Sequence, residues 1–309
     1  MALDLNKLIT ESRNPNTMDI DLLSTKEIVK KINDEDKTVA AVVEKVLPEI
    51  TSLIDAAIIA LSLHGRMIYL GAGTSGRVGI LDAVECPPTF GISPEKIQCV
   101  MAGGERAFIK AMEGAEDSVG MAVDDLKKIN LSAFDLVIGI TASGRTPYVI
   151  GGVKYAKALG CRTGSIATTA KSKISQFVDY PVEAVTGPEV IAGSTRMKSG
   201  TAQKLICNMI STTAMIKLGK VYQNLMIDVQ TTNEKLIGRA RNILMQATGV
   251  TSADARKYID EFGSVKKALF SLLTGIKAVS TVESYLTRSQ GNIRKALEAF
   301  NNDKSSRND

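Results

Sequence analysis

The chain has 309 residues, long enough to bury a substantial core in one large domain or two. Apolar residues make up 44% and charged residues 23%; the net charge is +5, much of the basic content is scattered lysine, no basic run is interleaved with aromatics, and there is no tryptophan, which argues against a nucleic-acid partner. No apolar run approaches ~18 residues, so no membrane span is expected; the first residues lack the charged-then-apolar plan of a signal peptide, and Cys86, Cys99, Cys161 and Cys207, with no C-x-x-C, read as reduced thiols of a cytoplasmic protein without a zinc site.

Residues 1–23 show no period and read as a loosely packed arm, although Arg13 and Asn14 are good anion and amide partners for covering a site. Ser24-Thr25-Lys26-Glu27 is a capping box that starts a helix at Thr25, interrupted over 33–36. From Val39 to Ala57 apolar residues recur at gaps of three and four, which predicts a long amphipathic helix ending near His64 and kinked at Pro48. His64 is the only histidine, and at a helix end followed by Gly65 it suits the last free carbonyls. With it in that role there is no Ser–His–Asp triad and no His-based metal site, so acid–base chemistry falls to carboxylates, Lys, Tyr or Cys.

Residues 67–70 read as a buried strand, followed by a loop of small residues over 71–76 and a helix from Val78. Small residues between a strand and a helix let backbone N–H groups approach an anion. The loop lacks the Gly-Lys-Ser/Thr ending of a P-loop, and the next strand, 97–101, ends in Ala102-Gly103-Gly104 without the acidic residue of a dinucleotide site. A helix is expected through Ala107, Ile109, Met112 and Ala115, then a strand at 136–140, a second Ser/Thr/Gly loop at 141–146, a helix over 148–159 and a strand at 163–167. This alternation predicts a parallel sheet covered on both faces, with ligands beyond the carboxyl ends of its strands, where both loops fall.

A third polar loop, residues 188–200, leads into a helix whose apolar face carries Leu205, Ile206, Met209 and Ile210. Arg196 and Lys198 suit an anionic ligand there; an ordinary cap by Ser194 or Thr195 is the simpler alternative. Beyond Asn224 the pattern is helical near 233–248, 252–262, 264–274 and 292–300, a small three- or four-helix appendage with a polar, disordered end.

Five stretches carry a resemblance: GAGTSGR at 71–77, ECPPTFG at 85–91, EGAED at 113–117, ASGRTPYVIGG at 142–152 and GSTRMKSGTAQK at 193–204. Together they resemble the N-acetylmuramic acid 6-phosphate etherases, a family of the sugar-isomerase (SIS) phosphosugar-binding group. The resemblance implies a flavodoxin-like three-layer α/β/α sandwich with a parallel sheet, with N-terminal helices over 1–64, the SIS domain over 65–225 and a helical subdomain over 226–309. It implies a small phosphosugar substrate, no metal and no organic cofactor, a cytoplasmic homodimer, and elimination of lactate across C2–C3 of the open-chain sugar followed by addition of water. The long helix at 38–64 is one candidate for the dimer interface.

Such an elimination needs one group to take the C2 proton and another to protonate the departing ether oxygen. The family motifs imply that Glu85 is the acid and Glu116 the base. Pro87, Pro88 and Phe90 beside Glu85 offer little polar solvation, which would favour its neutral form. Glu113 lies three residues before Glu116, on nearly the same face of the expected helix, and spacing alone does not choose between them; without the motif Glu85 reads as a surface carboxylate at a helix end. Thr74, Ser75, Ser143, Gly144 and Thr146 are implied phosphate and sugar contacts, and Ser194, Thr195 and Arg196 candidates for the sugar or the lactyl carboxylate. A non-catalytic phosphosugar sensor is the competing reading, but it need not keep both carboxylates; an aldose–ketose isomerase has no leaving group and would not need Glu85.

Overall fold

In a computed structural model that describes residues 9–110, 112, 114–229 and 234–306, the apolar runs become one parallel sheet. Its strands are β1 (Met67–Gly71), β2 (Ile97–Met101), β3 (Leu136–Thr141), β4 (Arg162–Ala167) and β5 (Tyr180–Glu183), in the order β2-β1-β3-β4-β5. This is the flavodoxin-like order, with its switch point between β1 and β3. Both of those strands are buried along their whole length, as strands covered on two faces must be. The chain divides into two compact units: residues up to Val84 with Pro94–Thr212, and Glu85–Ser93 with Thr213–Asp309.

In the first unit the sheet is the middle of three layers. Ile68 and Leu70 of β1 pack with α6 (Val119–Lys128) and α7 (Pro147–Ala158) through Leu126, Val149 and Val153. Tyr69, on the opposite face, donates to Asp82 of α4 (Gly73–Phe90) at 2.9 Å and to the Cys207 carbonyl of α8 (Lys198–Lys217) at 3.4 Å. Asp82 is buried and also accepts from Asn208 and Ser211, so its charge is spread over several donors. Gly152 sets the spacing of α7: a Cβ there would lie 2.2 Å from a Leu70 methyl.

Several local expectations change in the fold. The helix α1 (Thr25–Asp36) opens on the expected capping box, Ser24 N–H donating to Glu27 at 2.9 Å, and runs unbroken through 33–36. Instead of one kinked helix there are two, α2 (Thr38–Glu44) and α3 (Leu47–Ser62), with Pro48 in the first turn of α3, where a missing N–H costs nothing. His64 itself takes the left-handed position after α3, at φ 64°, and Gly65 N–H bonds back to the Ala60 carbonyl at 2.9 Å. Gly65 is required for another reason, since a Cβ would sit 2.1 Å from the Phe134 carbonyl oxygen. The β1–α4 loop shrinks to Ala72, because Gly73–Gly76 already form the first helical turn.

The helix expected to reach Ala115 stops early. α5 (Gly104–Ile109) is short, Gly114 is left-handed at φ 74°, a 3-10 turn covers Ala115–Asp117, and Ser118 caps α6 by accepting from Met121 N–H at 3.2 Å. Glu113 lies outside the described residues.

The second unit is richer than expected. It holds a hairpin of β6 (Val221–Tyr222) and β7 (Leu225–Met226). Five helices follow: α9 (Glu234–Thr248), α10 (Ser252–Phe262), α11 (Val265–Thr274), α12 (Val279–Arg288) and α13 (Ile293–Ser305). α12 has no counterpart in the expected set, and the polar end is helical as far as Ser305, with 307–309 outside the described residues. Side-chain caps at Thr251, Ser264 and Asn292 start α10, α11 and α13, and the core closes around Phe262, Leu269 and Phe270. Among the described residues no helix is long and apolar enough to cross a membrane.

Candidate active site

A cavity of about 350 Å³ lies in the first unit and is lined from the turns that follow β1 and β3, the switch point of the sheet. The first turn of α4 supplies Gly73, Thr74 and Ser75, and the β3–α7 turn supplies Thr141, Ser143, Arg145 and Thr146. The hydroxyls of Thr141 and Thr146 are 2.8 Å apart and brace that turn, and Gly144 N–Cα is left-handed at φ 67° with no room for a side chain, its would-be Cβ lying 2.4 Å from Ser172 Cβ. Glu116 and Asp117 reach the cavity from the 3-10 turn after Gly114.

Of the residues implied by the motifs, the structure thus brings Thr74, Ser75, Ser143, Thr146, Thr195 and Glu116 to one cavity. Gly144 is the pivot of its turn rather than a lining residue, and Ser194 and Arg196 do not line the cavity, Arg196 being exposed. Glu85 belongs to the second unit and is exposed, so Pro87, Pro88 and Phe90 do not enclose it within the chain.

The N-terminal arm, expected to be loose, is tied down and contributes Thr10 and Glu11 to the same cavity. Gly193 N–H donates to the Thr10 carbonyl at 2.9 Å, Thr17 donates to the Val190 carbonyl at 2.8 Å, and the buried Asn14 side chain donates to Glu35 at 2.8 Å. A Cβ on Gly193 would fall 2.9 Å from the Glu11 carboxylate, so glycine is what lets the arm lie there. The sequence offers a faint signal, Thr10-Glu11-Ser12-Arg13-Asn14, but no periodicity marks it.

Lys198 is neither a solvated side chain nor a ligand for the cavity. It is 3% exposed, and its ammonium donates to Glu35 at 2.6 Å. Nor, among the described residues, does a side-chain bond from Ser194 or Thr195 cap the start of α8. The fully buried Glu189 carboxylate accepts from the N–H groups of Lys198 and Ser199 at 2.8 and 2.9 Å, so a fixed anion already occupies that helix end.

The cavity walls carry three acids, Glu11, Glu116 and Asp117, and one cation, Arg145. Hydroxyls and the N–H groups of a first helical turn gather on the α4 and β3–α7 side, which is the polar environment a phosphate needs.

The chain is similar to known proteins along nearly its whole length. A family model of the glucokinase regulatory protein N-terminal SIS domain matches residues 49–157, and one of the SIS domain matches residues 119–212. N-acetylmuramic acid 6-phosphate etherases of Halalkalibacterium halodurans and Clostridium botulinum are 52% and 53% identical to this chain, each over 96% of it and over 100% and 99% of their own lengths. That of Cronobacter sakazakii is 50% identical over 96% of this chain and 100% of its own. Among solved structures, a phosphoheptose isomerase from Francisella tularensis covers 63% of this chain and 100% of that one, at 13% identity and a TM-score of 0.49. With half of its residues shared along nearly the whole length of such relatives, the chain belongs to the N-acetylmuramic acid 6-phosphate etherase family.

Proposed function

We propose that this protein cleaves the lactyl ether of N-acetylmuramic acid 6-phosphate to give N-acetylglucosamine 6-phosphate and D-lactate. The observation that carries the reading is the joint presence of Glu116 and the Thr74–Ser75 and Ser143–Thr146 hydroxyls around one cavity. With the phosphate held by those hydroxyls and by the N–H groups at the start of α4, Glu116 takes the C2 proton, made acidic by the neighbouring aldehyde of the open-chain sugar. Protonation of the ether oxygen lets lactate leave, and water then adds at C3.

Glu85 is the acid in this reading. It belongs to a different compact unit of the chain from Glu116, and we take it to reach the site from a second copy of the chain, in a homodimer. In ¹⁸O-water, purified protein should release unlabelled lactate and put the label at C3 of the sugar; label in the lactate would exclude elimination. Glu116→Gln should lower turnover by roughly 10²–10⁴.

A further inference from the structure

Beside the main cavity lies a second one, of about 220 Å³, that shares Ala72, Gly73 and Glu116 with it. Its other walls are chiefly apolar, with Met101, Ala102, Ala107 and Met112, and Arg77 is its one cation among the described residues. Arg77 stands one helical turn beyond Gly73 on α4 and is half-buried. Its Nε donates to the Phe108 carbonyl at 2.9 Å and its Nη2 to the Ala107 carbonyl at 2.8 Å, which fixes the plane of the guanidinium. Nη1 has no partner among the described residues, and no carboxylate there pairs with Arg77. A half-buried guanidinium with donors to spare, no counter-ion and a lining of methyl and thioether groups suits a small carboxylate carrying an alkyl group.

We propose that this lobe receives the lactyl group, its methyl against Ala102, Ala107 and Met112 and its carboxylate on the free N–H groups of Arg77. The inference rests on the etherase reading and deepens it. The substrate carries two anionic groups, and the main cavity, with Glu11, Glu116 and Asp117 against Arg145, is matched to only one of them. On sequence grounds Arg196 is a candidate for the lactyl carboxylate, but it does not line either cavity. Glu116 borders both cavities, which puts the base beside C2 when the phosphate end lies in one and the C3 substituent in the other. Arg77 is then the residue that distinguishes a muramyl from a glucosaminyl head group.

The test compares N-acetylmuramic acid 6-phosphate with its lactyl carboxamide, and uses N-acetylglucosamine 6-phosphate as a competing ligand without the lactyl group. Wild type should prefer the acid by about 10–100-fold in kcat/KM, and in Arg77→Gln that preference should collapse to within about threefold while inhibition by N-acetylglucosamine 6-phosphate stays nearly constant. Because Arg77 also holds the end of α5, Met112→Glu serves as a second variant. Met112 is 46% exposed, so the change spares the core, and a negative charge in the lobe should lower kcat/KM for the acid about tenfold more than for the amide. A preference retained in Arg77→Gln overturns the proposal, as does an equal loss of affinity for N-acetylglucosamine 6-phosphate; should that variant not fold, an unaffected Met112→Glu does the same. A wild-type protein that turns over neither substrate refutes the etherase reading instead.

Discussion

Lys198 and Glu35 stand 163 positions apart in the chain and 2.6 Å apart in the fold, both nearly excluded from water. Burial pushes the Glu35 carboxyl upward, but bonds from Lys198, Asn16 and Asn14, with the charge of Lys198, outweigh it and hold the group below the usual carboxylate range. Lys198→Met leaves a buried carboxylate without its cation and should destabilise the protein by about 3–5 kcal/mol, measured by urea unfolding at pH 7. The pH dependence follows from the lowered value: the stabilisation is complete above about pH 4.3, the ordinary value in the unfolded chain, and is lost as pH falls through the folded value. Unfolding midpoints of Glu35→Gln should therefore be lower than wild type at pH 7 and converge on it in acid. Nothing local in the sequence links these two residues, and a lone lysine in a polar loop looks solvated. All four cysteines are free. Burial pushes Cys99 up to about 12 and Cys161 up to about 11, so both should react slowly with thiol reagents at pH 8 and rapidly once denaturant is added.

Among the elements, the strands were legible and the breaks between helices were not. Runs such as Leu136–Thr141 are buried on both faces and spell themselves out as continuous apolar sequence. β5 escaped because Tyr180-Pro181-Val182-Glu183 sits at a sheet edge, where proline is tolerated and one face stays polar. The turn that carries Glu116 escaped for a different reason. Apolar residues at helical spacing run through Ala107, Ile109 and Ala115, yet the backbone changes hand at Gly114. Among the described residues nothing lies within 4 Å of a Cβ built there, so Gly114→Ala tests conformation alone. Holding alanine left-handed costs roughly 1–2 kcal/mol, and relaxing that strain would swing Glu116 away from the cavity. Steady-state kinetics should show kcat falling well before KM rises. Gly144→Ala adds a steric clash with Ser172 to the same strain and displaces the hydroxyls rather than Glu116, so KM for the phosphosugar should rise instead.

At the scale of the whole molecule, the proposed homodimer would decide how the two carboxylates meet. Leu81 and Val84, on α4 just before Glu85, are 51% and 57% exposed, and Phe108 and Ile109 at the end of α5 are 48% and 88% exposed. Apolar side chains grouped on neighbouring positions in this way suit a covered face. In a symmetric homodimer each site would take Glu116 from one copy and Glu85 from the other, and the two sites would be equivalent. Such an arrangement has a consequence that no single-chain site shares. Glu85→Gln and Glu116→Gln should each be nearly inactive alone. Mixed in equal amounts under conditions that allow subunits to exchange, half of the dimers carry one of each variant, and each mixed dimer has one site with both substitutions and one with neither. About a quarter of wild-type activity should return, rising with the time allowed for exchange. If both carboxylates of a site came from the same chain, every site in the mixture would keep one defect, and no activity would return at any time.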